Sequence, residues 1–213
     1  MAMGRFTRLV EGYRRFRQVR WPKERERWSE LAEGQSPKVM VLACSDSRVD
    51  PAEIFDTRPG EIFVVRNVAN LAPPYETTKG YHGVSAALEF AVTQLEVEEI
   101  LVLGHESCGG CAAALTGQFD GAEPGEGHFI ADWVRQLSDA RDRVRASHPD
   151  GDGDAALEME QEAVKLSLAN LRSFPWIADR EAAGQLKLHG AHFAIAEGRL
   201  SVLDEADGCF RPA

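Results

Sequence analysis

The chain has 213 residues, 44% of them hydrophobic, with 34 acidic against 24 basic side chains and a formal net charge of -10. The length suits one α/β domain with decorations, and the acidic excess argues against a surface built for nucleic acid. The longest apolar runs, at 39–43 and 100–103, are far too short to cross a membrane, and no apolar stretch follows the basic N-terminus, so neither a span nor a signal peptide is expected and the location is expected to be cytoplasmic.

Residues 1–33 read as helix. Phe6, Leu9, Val10, Tyr13, Phe16 and Val19 make an apolar stripe, interleaved with Arg5, Arg8, Arg14, Arg15, Arg17, Arg20 and Lys23. Pro22 breaks the pattern, and a second short helix is expected over 23–33. A basic amphipathic helix can touch nucleic acid or a membrane surface; an arm packed on a partner subunit is the preferred reading.

Residues 38–43 and 61–65 read as strands, with a short helix at 51–55 between them. Over 80–95 the spacing is helical, with Val84, Leu88, Ala91, Val92 and Leu95 on one side. A third strand at 100–103 runs into Gly104 and a glycine-rich turn, followed by helix at 111–115. This alternation predicts an α/β fold: a mainly parallel central sheet flanked by helices, with an N-terminal helical arm. Further helices are expected over 129–147 and 155–171. Strands are expected at 186–188, 192–196 and 199–203, the last two joined by a tight turn at Glu197-Gly198. No repeats appear, and one domain is expected, with residues 1–33 as arm and 34–213 as core.

Two loops, 117–127 and 148–154, are polar and glycine-rich. The second carries Asp150, Asp152 and Asp154, like the start of a calcium loop. That motif next requires glycine and later a glutamate, where this chain has Ala155 and Gln161. Calcium is rejected in favour of a solvated turn and a helix cap.

The chemistry lies at the ends of two strands, where open parallel sheets build their sites. Cys44-Ser45-Asp46-Ser47-Arg48 follows the first strand, and Gly104-His105-Glu106-Ser107-Cys108-Gly109-Gly110 follows the third. Cys44, His105 and Cys108 supply two thiolates and one imidazole. These are donors zinc prefers, and three protein ligands leave a fourth position open for catalysis. Cys111 and Cys209 read as core or near-surface thiols, and no disulfide is expected. Asp46 and Arg48, two apart on a segment read as extended, can share a face, the arginine keeping the carboxylate ionised and aimed. Asp46 can then orient zinc-bound hydroxide, or bind zinc itself and close the site.

Taken together, these two motifs and the intervening Pro59-Gly60-Glu61-Ile62-Phe63-Val64-Val65-Arg66-Asn67-Val68-Ala69-Asn70 resemble the β-class carbonic anhydrases. The resemblance runs from about Gln35 through Gly117 and continues weakly to Asp204. It implies reversible hydration of carbon dioxide to bicarbonate and a proton by zinc-hydroxide attack, with one zinc per chain. It makes Cys44, His105 and Cys108 the ligands and Asp46 with Arg48 the catalytic pair. It further implies substrate contacts from Gln35, across a dimer interface, and from Phe63 and Val68 in the carbon dioxide pocket. Amides near Gly109 are candidates for the substrate oxygens. Gln35 and Val68 resemble the plant-like branch, whose sites are usually open, rather than the branch regulated by bicarbonate at a separate pocket. Phe90 stands where that branch has tyrosine, so a hydroxyl at the pocket is lost. The implied assembly is a homodimer or larger even-numbered oligomer, with no nucleic acid or membrane partner. Proton removal requires a shuttle, for which His82 and His128 qualify only by residue type. Three other readings use some of the same residues: carbon disulfide or carbonyl sulfide hydrolysis on this fold, a non-catalytic zinc-binding module, and a redox role for the Cys108-x-x-Cys111 pair.

Overall fold

β-Branched and aliphatic runs with both faces apolar form strands that only a doubly covered sheet can hold. In the computed structural model, which describes residues 4–149, 151 and 153–213, two such runs are the strands β1 (Val39–Cys44) and β3 (Glu99–His105), flanked by the more polar β2 (Ile62–Asn67) and β4 (Lys187–Ala194). They pair in parallel, β1 between β2 and β3, and β3 beside β4. β5 (Arg199–Asp204) and β6 (Cys209–Pro212) extend the sheet antiparallel, giving the order β2-β1-β3-β4-β5-β6.

Side chains alternate across the sheet. Met40, Leu42, Ile100 and Val102 pack on one face with Leu88, Ala91 and Val92, which come from helix α4 (Gly83–Glu89) and the π-helical turn Phe90–Gln94 that continues it. Val41, Ala43, Leu103 and Ala191 cluster on the other. A third cluster joins Cys44, Val49, Ala69, Leu71, Cys108 and Cys111 beyond the strand ends.

Several expectations are corrected. The strands expected at 186–188 and 192–196 are one strand, β4. Gly190, which interrupts the apolar pattern, sits inside it because a Cβ there would lie 2.8 Å from Val164 Cγ1 and 3.0 Å from Leu168 Cδ1. The helix expected over 129–147 is divided by a 3₁₀ turn at Arg135–Leu137. Helix Pro175–Ala182 and strand β6 were not expected at all. Asp150 and Asp152 of the acidic loop lie outside the described residues. Among the described residues, no helix is long and apolar enough to cross a membrane.

Contacts divide the chain into two units, Met1–Ser36 and Pro37–Ala213. Within the first, α1 (Arg5–Arg15) continues through a π-helical turn, Phe16–Arg20, and α2 (Arg25–Glu33) follows. The Phe16 and Trp28 rings meet edge-on at 5.6 Å, and the Arg17 guanidinium lies 3.9 Å over the Trp21 ring. Phe6, Leu9, Tyr13 and Val19 are exposed.

Candidate metal centre

Parallel pairing of β1 with β3 matches Ala43 with Leu103, so Cys44 and His105 emerge at neighbouring strand ends. Ser107, with φ 57°, turns the chain back towards them, and Cys108 opens helix α5 (Gly109–Thr116). The ligand-capable atoms of Cys44, His105 and Cys108 all lie within 4.8 Å of one another. The Cys44 and Cys108 sulfurs are 3.9 Å apart, and all three residues are buried.

His105 is set for coordination. Its Nδ1 lies 2.8 Å from the Glu106 carbonyl, which only an N–H can satisfy, so Nε2 presents a lone pair. That Nε2 is buried and has no hydrogen-bond partner. An orphaned buried acceptor between two thiols fits a cation, and two sulfurs with one imidazole are the donor set of zinc. The hydrogen bond to Cys108, and then burial, push the Cys44 thiol up to about 12. The Cys108 thiol is likewise pushed up to about 12, chiefly by its hydrogen bond with Cys111. Burial pulls His105 down, yet the neighbouring Cys44 and the Glu106 carbonyl leave its pKa raised.

Asp46 and Arg48 meet, but by a turn rather than along an extended segment. The Arg48 amide donates to Asp46 Oδ1 at 2.9 Å, closing an Asx turn. The guanidinium donates to the same oxygen from Nε at 2.9 Å and to Oδ2 from Nη2 at 2.7 Å. Nη2 also reaches the Ser107 carbonyl at 3.0 Å, tying this turn to the Cys108 loop. The guanidinium holds the Asp46 carboxyl well below the usual carboxylate range. Asp46 is paired with Arg48 and lies outside the three-residue cluster.

Arg66 was quoted in the motif without a role, and the structure gives it one. From β2 it donates to the carbonyls of Cys44 at 2.8 Å and Asp46 at 2.5 Å and pairs with Asp50 at 3.1 Å. A charged residue inside the run Ile62–Asn67 was the available signal.

The pocket residues fare differently. Val68 follows Asn67, the register partner of Cys44, and packs so closely on α5 that a Cβ on Gly110 would fall 2.6 Å from its Cγ1. Gly109 is open, with nothing within 4 Å of a Cβ there. Phe63 is paired with Met40, four residues back along β1 from Cys44, or ~13 Å at strand rise. It stacks instead with Phe90, centroids 6.0 Å apart. Strand register thus separates Phe63 from the cluster within one chain. Gln35 is exposed in the N-terminal unit. His82 bonds the Thr78 carbonyl at 2.8 Å, and His128 pairs with Asp132 at 3.2 Å. His82 and Val68 share an apolar groove of about 480 Å³ with Phe129 and Trp133. Of the two remaining cysteines, Cys111 is buried and Cys209 exposed, both as free thiols.

Residues 39–200 match the sequence model of the carbonic anhydrase family. The chain is 38% identical over 192 residues to beta carbonic anhydrase 3 of Arabidopsis thaliana, covering 90% of this chain and 74% of that protein. Its structure is similar to that of the β-carbonic anhydrase CcaA, with a TM-score of 0.91 and 32% identity over 99% of this chain and 100% of the other. It is also similar to a tetrameric β-carbonic anhydrase of Sordaria macrospora, with a TM-score of 0.78 and 28% identity over 96% and 98% of the two chains.

Proposed function

Because the chain belongs to the β-carbonic anhydrases, zinc-dependent lyases, we propose that it hydrates carbon dioxide at a zinc held by Cys44, His105 and Cys108, with Asp46 and Arg48 handling the attacking oxygen. The observation that carries this reading is the buried, unpartnered His105 Nε2 between two thiols, beside a carboxylate locked by arginine. Zinc, when bound, supplies a nucleophile at neutral pH by lowering the pKa of water from ~15.7 towards ~7.

The residues of the chain perform the rest. Arg48 occupies both Asp46 oxygens, so the carboxylate stays ionised and fixed. Asp46 accepts the proton of the attacking oxygen in a hydrogen bond and turns its lone pair towards carbon. Arg66 holds the carbonyls on either side of Ser45, so Cys44 and Asp46 keep their separation. The apolar groove at Val68 and Trp133 receives a linear nonpolar molecule and repels ionic competitors. Gly109, at the open start of α5, leaves its backbone amide for a substrate oxygen.

Phe63, Phe90 and Gln35 complete the pocket in a second copy of the chain. The register of Phe63 within its own chain, the exposed apolar stripe of α1 and the tetrameric Sordaria enzyme support a homodimer or larger even-numbered assembly. Retention of Gln35 and Val68 favours the plant-like branch, with an open site at rest.

Removing metal with a chelator and returning zinc tests this reading. Turnover falls and recovers in step with bound metal; hydration that survives complete metal removal excludes it.

A further inference from the structure

Glu160 is a carboxylate in the core, 4% exposed, on helix α8 (Gly153–Leu171). Its Oε1 accepts the backbone N–H of Cys108 at 3.0 Å. Its Oε2 lies 2.9 Å from Nε2 of His192, itself 4% exposed, on β4. A buried carboxylate is costly unless hydrogen bonds replace its water, and these two partners, drawn from separate elements, do so. The strand packing is shaped to allow it. A Cβ on Gly104 would fall 2.7 Å from Val164 Cγ2, 3.5 Å from the Glu160 carbonyl and 3.6 Å from His192 Cδ2. Glycine at the residue before His105 therefore lets α8 approach the strand end.

The Cys108 amide has no partner within α5, because Cys108 precedes the helix's own ladder. It is also the amide that follows Ser107, whose left-handed backbone must be held in place. Resting on the zinc reading above, we propose that Glu160, held by His192, is the positioning residue that fixes the Cys108 turn and so presets the thiolate for metal. It acts through the backbone and touches neither metal nor substrate.

The test is cobalt binding by the full-length chain, read by competition with a chromophoric chelator and by the thiolate-to-cobalt charge-transfer band. Glu160→Ala leaves the amide unpartnered and should weaken cobalt affinity by about 10–100-fold, with an altered band. Glu160→Gln keeps an acceptor for the amide and should restore affinity and spectrum close to wild type. His192→Ala frees Oε2 and should weaken affinity in the same direction by less. It replaces Glu160→Ala as the deciding variant if that protein does not fold. Cys44→Ser separates the two readings: wild-type cobalt binding by this variant overturns the ligand set itself. Loss of binding there, with wild-type affinity and band in folded Glu160→Ala (or His192→Ala), overturns only the positioning role. So does a fall in the melting temperature of metal-free Glu160→Ala unaccompanied by any change in affinity.

Discussion

Arg48 grips Asp46 through three hydrogen bonds, one from its backbone amide and two from its guanidinium. The carboxylate therefore has one orientation and one charge state, as a group handling a proton from an attacking oxygen requires. Asp46→Asn keeps the shape but cannot accept in the same way. It should retain stoichiometric zinc and lose turnover by about 10²–10⁴-fold. Metal analysis and hydration rates on one preparation check this, and unchanged turnover would remove Asp46 from the mechanism.

Ligand and bystander cysteines should separate cleanly. Cys44→Ala should lose zinc and activity together. Cys111 is buried in the cluster beneath the site but lies outside the three-residue group, so Cys111→Ala should keep its zinc. Zinc per chain after dialysis distinguishes the two, and retained zinc in Cys44→Ala would contradict the assignment.

Metal binding should depend steeply on pH. Without metal, the Cys44 and Cys108 thiols are each pushed up to about 12, so at lower pH an incoming ion must displace a proton from both. Apparent affinity should rise with pH, by about tenfold per unit for each thiol and about a hundredfold for the pair. Competition with a chelator between about pH 7.5 and pH 9 measures the slope. Below the raised pKa of His105 a third proton must leave, and the dependence should steepen. A flat profile would mean that thiols are not the ligands.

Two adjacent glycines should differ in their response to alanine. At Gly110 the new methyl would lie 2.6 Å from Val68 Cγ1 and 2.9 Å from Ala69 Cβ. Overpacking of that kind typically costs about 1–3 kcal/mol. At Gly109 nothing lies within 4 Å of a Cβ, so stability should change by less than about 0.5 kcal/mol. Urea unfolding of both variants checks the difference.

Phe90→Tyr should be tolerated. The residue is 44% exposed within one chain, so a hydroxyl there does not overpack that chain's core. Thermal unfolding and the hydration rate should both stay near wild type, and collapse of the fold would show that the ring faces the core.

What the sequence made legible follows from how locally each feature is encoded. Cys44, Asp46, Arg48, His105 and Cys108 sit in short motifs at strand ends, where alternation of elements already points to a site. The manner of the Asp46–Arg48 contact was misread, because a turn closed by the aspartate's own side chain leaves no periodic signal. β6 is short and mostly exposed, so no apolar run marks it. Glu160 was missed although its helix was legible. It lies 52 residues from the amide it holds. A signal was present, since Ala163, Val164, Ser167, Leu168 and Leu171 follow at helical spacing and are all buried, which places the carboxylate on the inward stripe. Phe63 lies apart from the cluster within one chain because strand register, not motif membership, sets its distance from Cys44.

The most direct test of the central claim is stopped-flow hydration of carbon dioxide with a pH indicator, on protein of known zinc content between about pH 7 and pH 9. Two thiolate donors place more negative charge on the ion than imidazoles would, so turnover should be fast, rise with pH and vanish on chelation. No hydration across that range from protein carrying one zinc per chain would contradict the account and point to a site closed by Asp46 or to another small linear substrate.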